Sequence, residues 1–290
     1  MGRSLSPIYL DGLEQPAQAD ACVRPRRRRI VFGWYGGKFS HLGWLLPLLP
    51  ECHHYCEPFA GSAAVLLNRA PSPVETYNDI DGEVVNFFRE LRDHSEELLR
   101  LIALTPFARE ELYGALTSSP ETATPTERAR RFFVRARQAR TGLAQTVTLG
   151  RWANCKNTSR AGMSGVVSRW LGSVDDLPEI ASRLLRVQIE NRPAIDVIRL
   201  YDDERTLFYC DPPYPHASRG DAKAYAFEMS DTDHEELAQA LSACKGKVAI
   251  SGYRCELMDS LYHEWRRHDA DEKICHSIKG VRQECLWTNY

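Results

Sequence analysis

The chain has 290 residues, of which 43% are hydrophobic, and a formal net charge of −2. Such a chain can fill the core of one main domain and of a smaller inserted domain. It has no apolar run of membrane-spanning length and no apolar signal region behind Met1, so we expect a cytoplasmic protein with no membrane contact. Its nine cysteines lack a paired Cys-x-x-Cys framework, which in a reducing compartment predicts free thiols.

The N-terminal residues 1–29 show little periodic pattern and end in a cluster of arginines, Arg24 and Arg26 to Arg29. We expect a disordered basic arm here, followed by a first strand at Ile30–Phe32. The arginines either hold DNA phosphates without sequence preference or form a solvated tail, and the tail is the favoured interpretation.

A strand over 52–57 is followed by a glycine-bearing turn, a short helix over 63–68 and a second strand over 74–79. Gly61 permits the close backbone approach that nucleotide-like cofactors need, and an acid after the second strand, such as Asp79, suits ribose hydroxyls. Taken alone, this pattern is more typical of a structural turn than of a binding site.

The first of these strands also contains Cys52-His53-His54-Tyr55-Cys56, which invites a metal interpretation. We reject it because alternate residues of a strand face opposite sides, and because no second ligand pair with zinc spacing is evident. No metal is expected.

Residues 128–170 contain nine arginines and one lysine but no acid, although the net charge of the chain is negative. Positive charge concentrated in this way suits the neutralisation of DNA phosphates; a solvated basic helix beside a flexible loop is the alternative. We expect an amphipathic helix over 126–140 with Thr126 as its N-cap, followed over 142–172 by an extended or β-hairpin recognition loop. The predicted DNA-binding residues are Arg128, Arg131, Arg135, Arg137, Arg140, Arg151, Asn154, Lys156, Asn157, Arg160 and Arg169.

The second half of the chain alternates between predicted strands and helices. Such alternation predicts a mostly parallel α/β sheet that binds ligands at the carboxyl ends of its strands. Strands are expected over 186–191, 206–211, 246–251 and 284–289. Helices are expected over 83–92, 193–201, 231–242 and 256–262.

The apolar run 206–210 is followed directly by the tetrapeptide Asp211-Pro212-Pro213-Tyr214, which therefore lies at the end of a predicted strand. An exocyclic amine on a base is a poor nucleophile because its lone pair is delocalised into the ring. A carboxylate and a nearby backbone carbonyl that accept its two hydrogens would favour a pyramidal nitrogen, and the fixed φ angles of the prolines would help to aim that carbonyl. The tyrosine supplies a face on which a base can stack. A plain strand end with a Pro-Pro turn is the alternative.

Several further elements occur in a fixed order. They are Trp34-Tyr35-Gly36-Gly37-Lys38, Glu57-Pro58-Phe59-Ala60-Gly61, Asn78-Asp79-Ile80-Asp81, Asp196 after Asn191-Arg192-Pro193, the Asp211–Tyr214 tetrapeptide, and the strands 248–253 and 284–289. These elements and their order, which cover most of the chain, resemble those of the Dam-like DNA adenine N6-methyltransferases of the phage or restriction-modification type. One departure is Ser62-Ala63, which replaces a glycine-rich pair that many relatives carry.

The resemblance implies a Rossmann-like class I methyltransferase sheet with an inserted smaller target-recognition domain, and S-adenosylmethionine as cofactor. The catalytic domain would comprise 30–91 and 186–290, and the inserted DNA target-recognition domain 92–185. The implied catalytic residues are Asp211, Pro212, Pro213 and Tyr214. The implied cofactor-binding residues are Trp34, Tyr35, Lys38, Glu57, Phe59, Gly61, Asp79, Asp196 and Asp211.

The expected reaction is methyl transfer to the N6 of an adenine extruded from double-stranded DNA. Transfer to cytosine N4 or to an RNA adenine, and a noncatalytic DNA-binding regulator on the same fold, are the alternatives. A separately acting cognate restriction endonuclease is a possible partner, and a monomer or weak dimer is expected.

Overall fold

The computed structural model describes residues 28–117, 119, 122–140, 152–218, 226–271, 273–275 and 280–290. Residues 1–27 of the predicted basic arm (1–29) lie outside these residues, as do the first part of the predicted recognition loop and Arg151.

The fold is built on a seven-stranded sheet flanked by helices. The strands are β1 (His54–Glu57), β2 (Val74–Asn78), β3 (Ser159–Arg160), β4 (Met163–Ser164), β5 (Gln188–Glu190), β6 (Thr206–Cys210), β7 (Lys247–Tyr253), β8 (Arg266–Asp269), β9 (Lys273–Cys275), β10 (Gly280–Arg282) and β11 (Glu284–Thr288). The large sheet has the order β5-β2-β1-β6-β7-β11-β8, and β3 with β4 and β9 with β10 form two separate hairpins.

The chain order reverses at the middle of the sheet. From β1 the chain builds outward through β2 to β5, and it then returns to place β6 on the other side of β1 and β7 beyond it. These strands all pair in parallel, whereas β11 is antiparallel to both β7 and β8. The carboxyl ends of β1 and β6 therefore flank a topological switch point, which is where open α/β sheets bind their ligands.

Helices cover both faces of the sheet. They are α1 (Leu42–Leu45), α2 (Gly82–Asp93), α3 (Ser95–Leu104), α4 (Arg109–Thr117), α5 (Pro125–Gln138), α6 (Gly165–Asp175), α7 (Leu177–Leu184), α8 (Ala194–Tyr201), α9 (Asp231–Ser242) and α10 (Glu256–Leu261). Within the described ranges, none of the helices has the length and apolar character needed to cross a membrane.

Alternating residues of the central strands supply two cores, one on each face of the sheet. Leu207 and Tyr209 of β6 join one hydrophobic cluster, and Phe208 and Cys210 join the other. Since side chains of a strand point to opposite faces in turn, a five-residue apolar strand such as β6 is buried on both sides.

The segment between α2 and β5 shares the core of the sheet. Helix α5 packs along α2, and its Phe132 and Phe133 belong to the same cluster as Phe32, Phe87 and Phe88. The rings of Phe87 and Phe133 are stacked, with centroids 5.8 Å apart and an interplanar angle of 5°. Helix α5 is therefore anchored to α2 and to the core of the large sheet through aromatic contacts.

Most predicted strands and helices are confirmed, with ends that move by at most two residues. The helix α9 begins after Ser230, whose hydroxyl accepts a hydrogen bond from the amide of Asp233 while the carboxylate of Asp233 accepts one from the Ser230 amide, forming a capping box. The hairpin of β3 and β4 confirms a hairpin within the predicted recognition loop, but residues 165–172 are helical and not extended.

Three local predictions were wrong. Ile30–Phe32 is not a strand, although Val31 and Phe32 are buried in the core. Residues 63–68 form hydrogen-bonded turns instead of a helix, because Ala63 has a φ of 55°. The N-cap of α5 is Thr124, whose hydroxyl accepts from the Glu127 amide; Thr126 lies inside the helix.

Candidate active site

A pocket lies at the carboxyl ends of β1, β2 and β6, at the switch point of the sheet. It encloses about 720 Å³ of empty space, part of which is open to solvent. Its lining includes aromatic and aliphatic side chains on one hand and four carboxylates on the other, a mixture typical of a binding site for a small polar ligand. The lining residues are Trp34, Tyr35, Gly36, Gly37, Lys38, Glu57, Phe59, Ala60, Gly61, Ser62, Ala64, Val65, Asp79, Ile80, Asp81, Tyr209, Asp211, Pro213, Ala226 and Phe227.

The turn after β1 approaches the indole of Trp34 closely at Gly61. The φ angle of Gly61 is +48°, in the left-handed region that disfavours side chains. A Cβ atom at this position would lie 2.4 Å from Trp34 Nε1. Glycine is therefore required here for both conformation and space, as its position in the sequence predicted.

Asp79 ties this turn to the end of β2. Its Oδ2 accepts a hydrogen bond from the Gly61 amide at 2.8 Å, and its Oδ1 accepts one from the Asp81 amide at 2.9 Å. Burial raises the pKa of Asp79 to about 6, although these two amides oppose the shift. The carboxylate that was predicted to bind a cofactor thus also fixes the loop that lines the pocket.

Glu57 is the last residue of β1 and lies in the pocket wall, where it is 2% exposed. The hydroxyl of Tyr55 donates a hydrogen bond to its Oε1 at 2.7 Å. Burial raises the pKa of Glu57 to about 8, which outweighs the opposing effect of that hydrogen bond. The pKa of this buried carboxyl group therefore lies close to neutral pH.

Asp211, directly after β6, is held by a lysine and a serine. The ammonium of Lys38 lies 2.7 Å from Oδ1 and 2.8 Å from Oδ2, and it also donates to the carbonyl of Gly36 at 2.7 Å. The hydroxyl of Ser251 donates to Oδ1 at 2.9 Å. A carboxylate offers about four acceptor positions. Since these contacts favour Oδ1, Oδ2 keeps the capacity to accept a further hydrogen bond.

Tyr214, at the other end of the tetrapeptide, is 2% exposed. Its hydroxyl donates to Glu284 Oε1, and its ring lies with its centroid 4.9 Å from Lys38 Nζ. The ring also makes an edge contact with Tyr253, with centroids 4.8 Å apart. Tyr214 is therefore packed into the same polar cluster that holds Asp211.

Comparison with known proteins assigns this arrangement to a family. The D12 class N6 adenine-specific DNA methyltransferases match residues 34–275. The chain belongs to this family. It is 27% identical over 282 residues to the type II methyltransferase M1.LlaDCHI of Lactococcus lactis subsp. cremoris, a match that covers 89% of this chain and 94% of that protein. A stretch of 73 residues is 36% identical to the DNA N-6-adenine-methyltransferase of Escherichia phage P1, covering 25% of this chain and 10% of that protein.

The methyltransferase pocket brings together most of the residues predicted for it. Asp196 is an exception, because it is exposed in the first turn of α8 and does not line the pocket. Pro212 and Tyr214 are buried beside the pocket without lining it. Among the described residues, no group of three or more His, Cys, Asp or Glu side chains is arranged to hold a metal ion.

The predicted DNA-binding arginines of α5 are engaged with neighbouring groups of the methyltransferase. Arg128 pairs with Glu83, and Arg131 Nε lies 2.8 Å from Glu127 Oε1. Arg135 and Arg137 donate to backbone carbonyls at 3.0 Å and 2.8 Å. Other predicted DNA-binding residues are exposed, namely Arg140, Asn154, Lys156, Asn157, Arg160 and Arg169.

Sequence reasoning gave no site role to Ser251 or Glu284, although both lie in strands that were predicted. Ser251 contacts Asp211, and Glu284 contacts Tyr214 and Lys38. The signal that could have found them is a polar side chain within an otherwise apolar strand, because a buried polar group needs a partner.

Proposed function

We propose that this methyltransferase transfers a methyl group from S-adenosylmethionine to the N6 amine of an adenine extruded from duplex DNA. The observation that carries the proposal is the placement of Asp211 at the switch-point pocket, with Lys38 and Ser251 orienting its carboxylate. Extrusion is required because the amine of a stacked, paired adenine cannot reach a group inside the pocket.

The pocket suits S-adenosylmethionine in shape and charge. Trp34 packs directly on Gly61, and both residues line the pocket, so the indole and the bare glycine backbone form a flat wall that suits a planar or sugar group. The carboxyl groups in the lining suit a ligand that carries a sulfonium cation and an ammonium group. We propose that Trp34, Tyr35, Lys38, Glu57, Phe59, Gly61, Asp79 and Asp211 hold it; the contribution of Asp196 stays a prediction.

When bound, S-adenosylmethionine would supply an electrophilic methyl group: the S–C bond would break as the N–C bond forms, the sulfonium would leave as a neutral thioether, and the methylated amine would release one proton to solvent. Asp211 accepts one amino hydrogen of the adenine through Oδ2, and the carbonyl of Pro212 accepts the other, which concentrates the lone pair on nitrogen. Lys38 fixes the orientation of the Asp211 carboxylate through contacts with both of its oxygens. Pro213 lines the pocket and fixes the backbone of the tetrapeptide.

Tyr214 is proposed to stack on the extruded base. Because its ring is 2% exposed, the ring must be uncovered as the base enters. Stacking on an aromatic side chain contributes roughly 1–3 kcal/mol per base, which would offset part of the cost of extrusion.

We propose that residues 92–185 read the DNA target and that the exposed cations of this segment contact phosphates or base edges. The β3–β4 hairpin supports this, since it presents Arg160 and Met163 to solvent next to a turn with positive φ at Ala161 and Gly162. Positive φ at both turn residues is typical of a tight two-residue hairpin turn. The arginines of α5 that pair with acids would then mainly support the segment.

The test is transfer of labelled methyl groups from S-adenosylmethionine to unmethylated DNA, followed by nucleoside analysis, for wild type and Asp211→Ala. Wild type should produce N6-methyladenine in one short sequence motif. Asp211→Ala should lose turnover while circular dichroism and DNA affinity stay close to wild type. Asp203→Ala is the matched control, because Asp203 is an exposed aspartate close to the start of β6.

Near-normal turnover by Asp211→Ala would overturn the role of the tetrapeptide. N4-methylcytosine as the product, or methylation of RNA alone, would overturn the acceptor. Absence of S-adenosylmethionine binding would favour a noncatalytic DNA-binding protein. Digestion of the modified motif by a restriction endonuclease, tested with and without methylation, would show whether such an enzyme is a partner, and light scattering would give the oligomeric state.

A further inference from the structure

Glu284 is a buried carboxylic acid in a strand that otherwise contributes to the core. It begins β11, where Cys285, Leu286 and Trp287 are each at most 1% exposed, and Glu284 itself is 5% exposed. In the sheet it lies opposite Tyr253 of β7. Burying a carboxylate without compensation costs several kcal/mol, so the contacts of this side chain explain its presence.

Those contacts reach both ends of the catalytic tetrapeptide. Glu284 accepts the hydroxyl hydrogen bond of Tyr214, and its Oε1 lies 3.5 Å from the ammonium of Lys38. The same ammonium contacts both carboxylate oxygens of Asp211. One side chain of the closing strand is thus linked to Tyr214 directly and to Asp211 through Lys38.

We propose that Glu284 is a positioning residue for methyl transfer. It holds the ring of Tyr214 in place, and it shares the ammonium of Lys38 with Asp211, so that the negative charge of Asp211 is less fully neutralised. The inference rests on the proposed function, since it assigns Glu284 to the reaction of the tetrapeptide. Glu284 does not line the pocket, so its effect passes through Tyr214 and Lys38.

The ring of Tyr214 is held from three sides. Glu284 binds its hydroxyl, Lys38 lies over its face at 4.9 Å, and Tyr253 meets it edge-on at an interplanar angle of 80°. A tyrosine has two side-chain torsions, and these contacts restrict both. When the ring becomes exposed to a base, the hydrogen bond from the Tyr214 hydroxyl to Glu284 still fixes the outer end of the side chain.

The charge of Glu284 also matters for Asp211. Burial alone would lower the pKa of Lys38, but Asp211 and Glu284 outweigh burial and raise it, so the ammonium stays charged between two carboxylates. Burial raises the pKa of Glu284, and Asp211 raises it further, while Lys38 opposes the shift. With a second carboxylate beside Lys38, Asp211 is less completely neutralised and is a stronger acceptor for an amino hydrogen.

The experiment compares steady-state kinetics of Glu284→Gln, Tyr214→Phe and the double variant with wild type. Glutamine has nearly the same size as glutamate but replaces the charge-assisted hydrogen bond from the Tyr214 hydroxyl by a weaker neutral one, and phenylalanine keeps the ring but removes the hydroxyl, so both changes disrupt the same contact. Each single change should lower kcat, by roughly tenfold to a hundredfold for Glu284→Gln, as expected for loss of a buried contact to a charged group. The KM for DNA and the affinity for S-adenosylmethionine should change less than threefold. The double variant should lose far less than the product of the two single losses, because the residues act as a unit.

Glu75→Gln is the matched control, since Glu75 is a buried carboxylate of β2 that pairs with Arg183 and does not line the pocket. Its kcat per folded molecule should stay at the wild-type value, which separates positioning from a general loss of stability. A wild-type or raised kcat for Glu284→Gln, or multiplicative losses in the double variant, would overturn the inference. If Asp211→Ala is inactive in the same assay, the proposed function survives that outcome; if Asp211→Ala is active, the proposed function itself fails.

Discussion

Replacing Gly61 by alanine tests how the cofactor pocket is built. An added Cβ would lie 2.4 Å from Nε1, 2.7 Å from Cδ1 and 2.8 Å from Cε2 of Trp34, so the indole would have to move. The backbone also has a φ of +48°, which costs a residue other than glycine about 1–2 kcal/mol. Overpacking of a well-filled site costs about 1–3 kcal/mol more.

We therefore expect Gly61→Ala to lose about 2–5 kcal/mol of unfolding free energy and at least tenfold in affinity for S-adenosylmethionine, since Trp34 lines the pocket. Urea denaturation measures the first quantity and calorimetric titration the second. Gly114→Ala is the control because its added Cβ meets nothing within 4 Å and it lies inside α4. That variant should gain roughly 0.5–1 kcal/mol and bind the cofactor normally. If Gly61→Ala leaves both the unfolding free energy and the affinity for S-adenosylmethionine unchanged, the assignment of this turn to the cofactor pocket is refuted.

Three further predictions follow from the buried and charged groups. Burial raises the pKa of Glu57 to about 8 from an ordinary value of 4.5, so the folded protein retains a proton that the unfolded chain releases. The Tm of wild type should therefore fall relative to the Tm of Glu57→Gln as the pH rises from about 4.5 to about 8, and the difference between the two Tm values should stay constant at higher pH. A Tm difference that does not depend on pH would contradict this prediction. Arg160→Ala should weaken DNA binding and reduce the slope of log Kd against log salt concentration by about 1. Arg131→Ala should change that slope less, because Arg131 is already paired with Glu127. Equal effects of the two changes would contradict the proposed contact between the β3–β4 hairpin and DNA. Arg183→Met should lose about 3–5 kcal/mol in urea denaturation because it leaves a buried carboxylate without its partner, and a loss below about 1 kcal/mol would be inconsistent with that pairing.

The sequence predicted those parts of the site in which the functional residues are close together along the chain. Asp211 and its two prolines are contiguous, and Gly61 follows a strand at a fixed distance, so local pattern was sufficient. The parallel pairing of β1, β2 and β6, though not their order in the sheet, followed from alternating strands and helices.

Sequence failed where a contact depends on the closure of the sheet. Strand β11 enters antiparallel between β7 and β8, and only this register places Glu284 beside Lys38 and Tyr214. The helix predicted over 63–68 was wrong because an apolar run does not reveal the positive φ of Ala63.

The arginines of α5 show a second limit of sequence reasoning. Composition counted them as free cations, yet several are satisfied by acids from other parts of the chain. Glu83 of α2 pairs with Arg128, and Glu111 of α4 pairs with Arg130. A charge count over a window cannot identify these partners, because they are brought in by packing and not by sequence proximity.

The contact of Lys38 with Glu284 joins an early segment to a late one and has a consequence for synthesis on the ribosome. The pocket walls from β1, β2 and β6 could assemble while the chain is still being made, but the ammonium that orients Asp211 meets its second carboxylate only after β11 has emerged and paired with β7. Under the proposed role of Glu284, a nascent chain would therefore remain a poor catalyst until β11 has paired with β7, so that methyl transfer would depend on completion of the sheet.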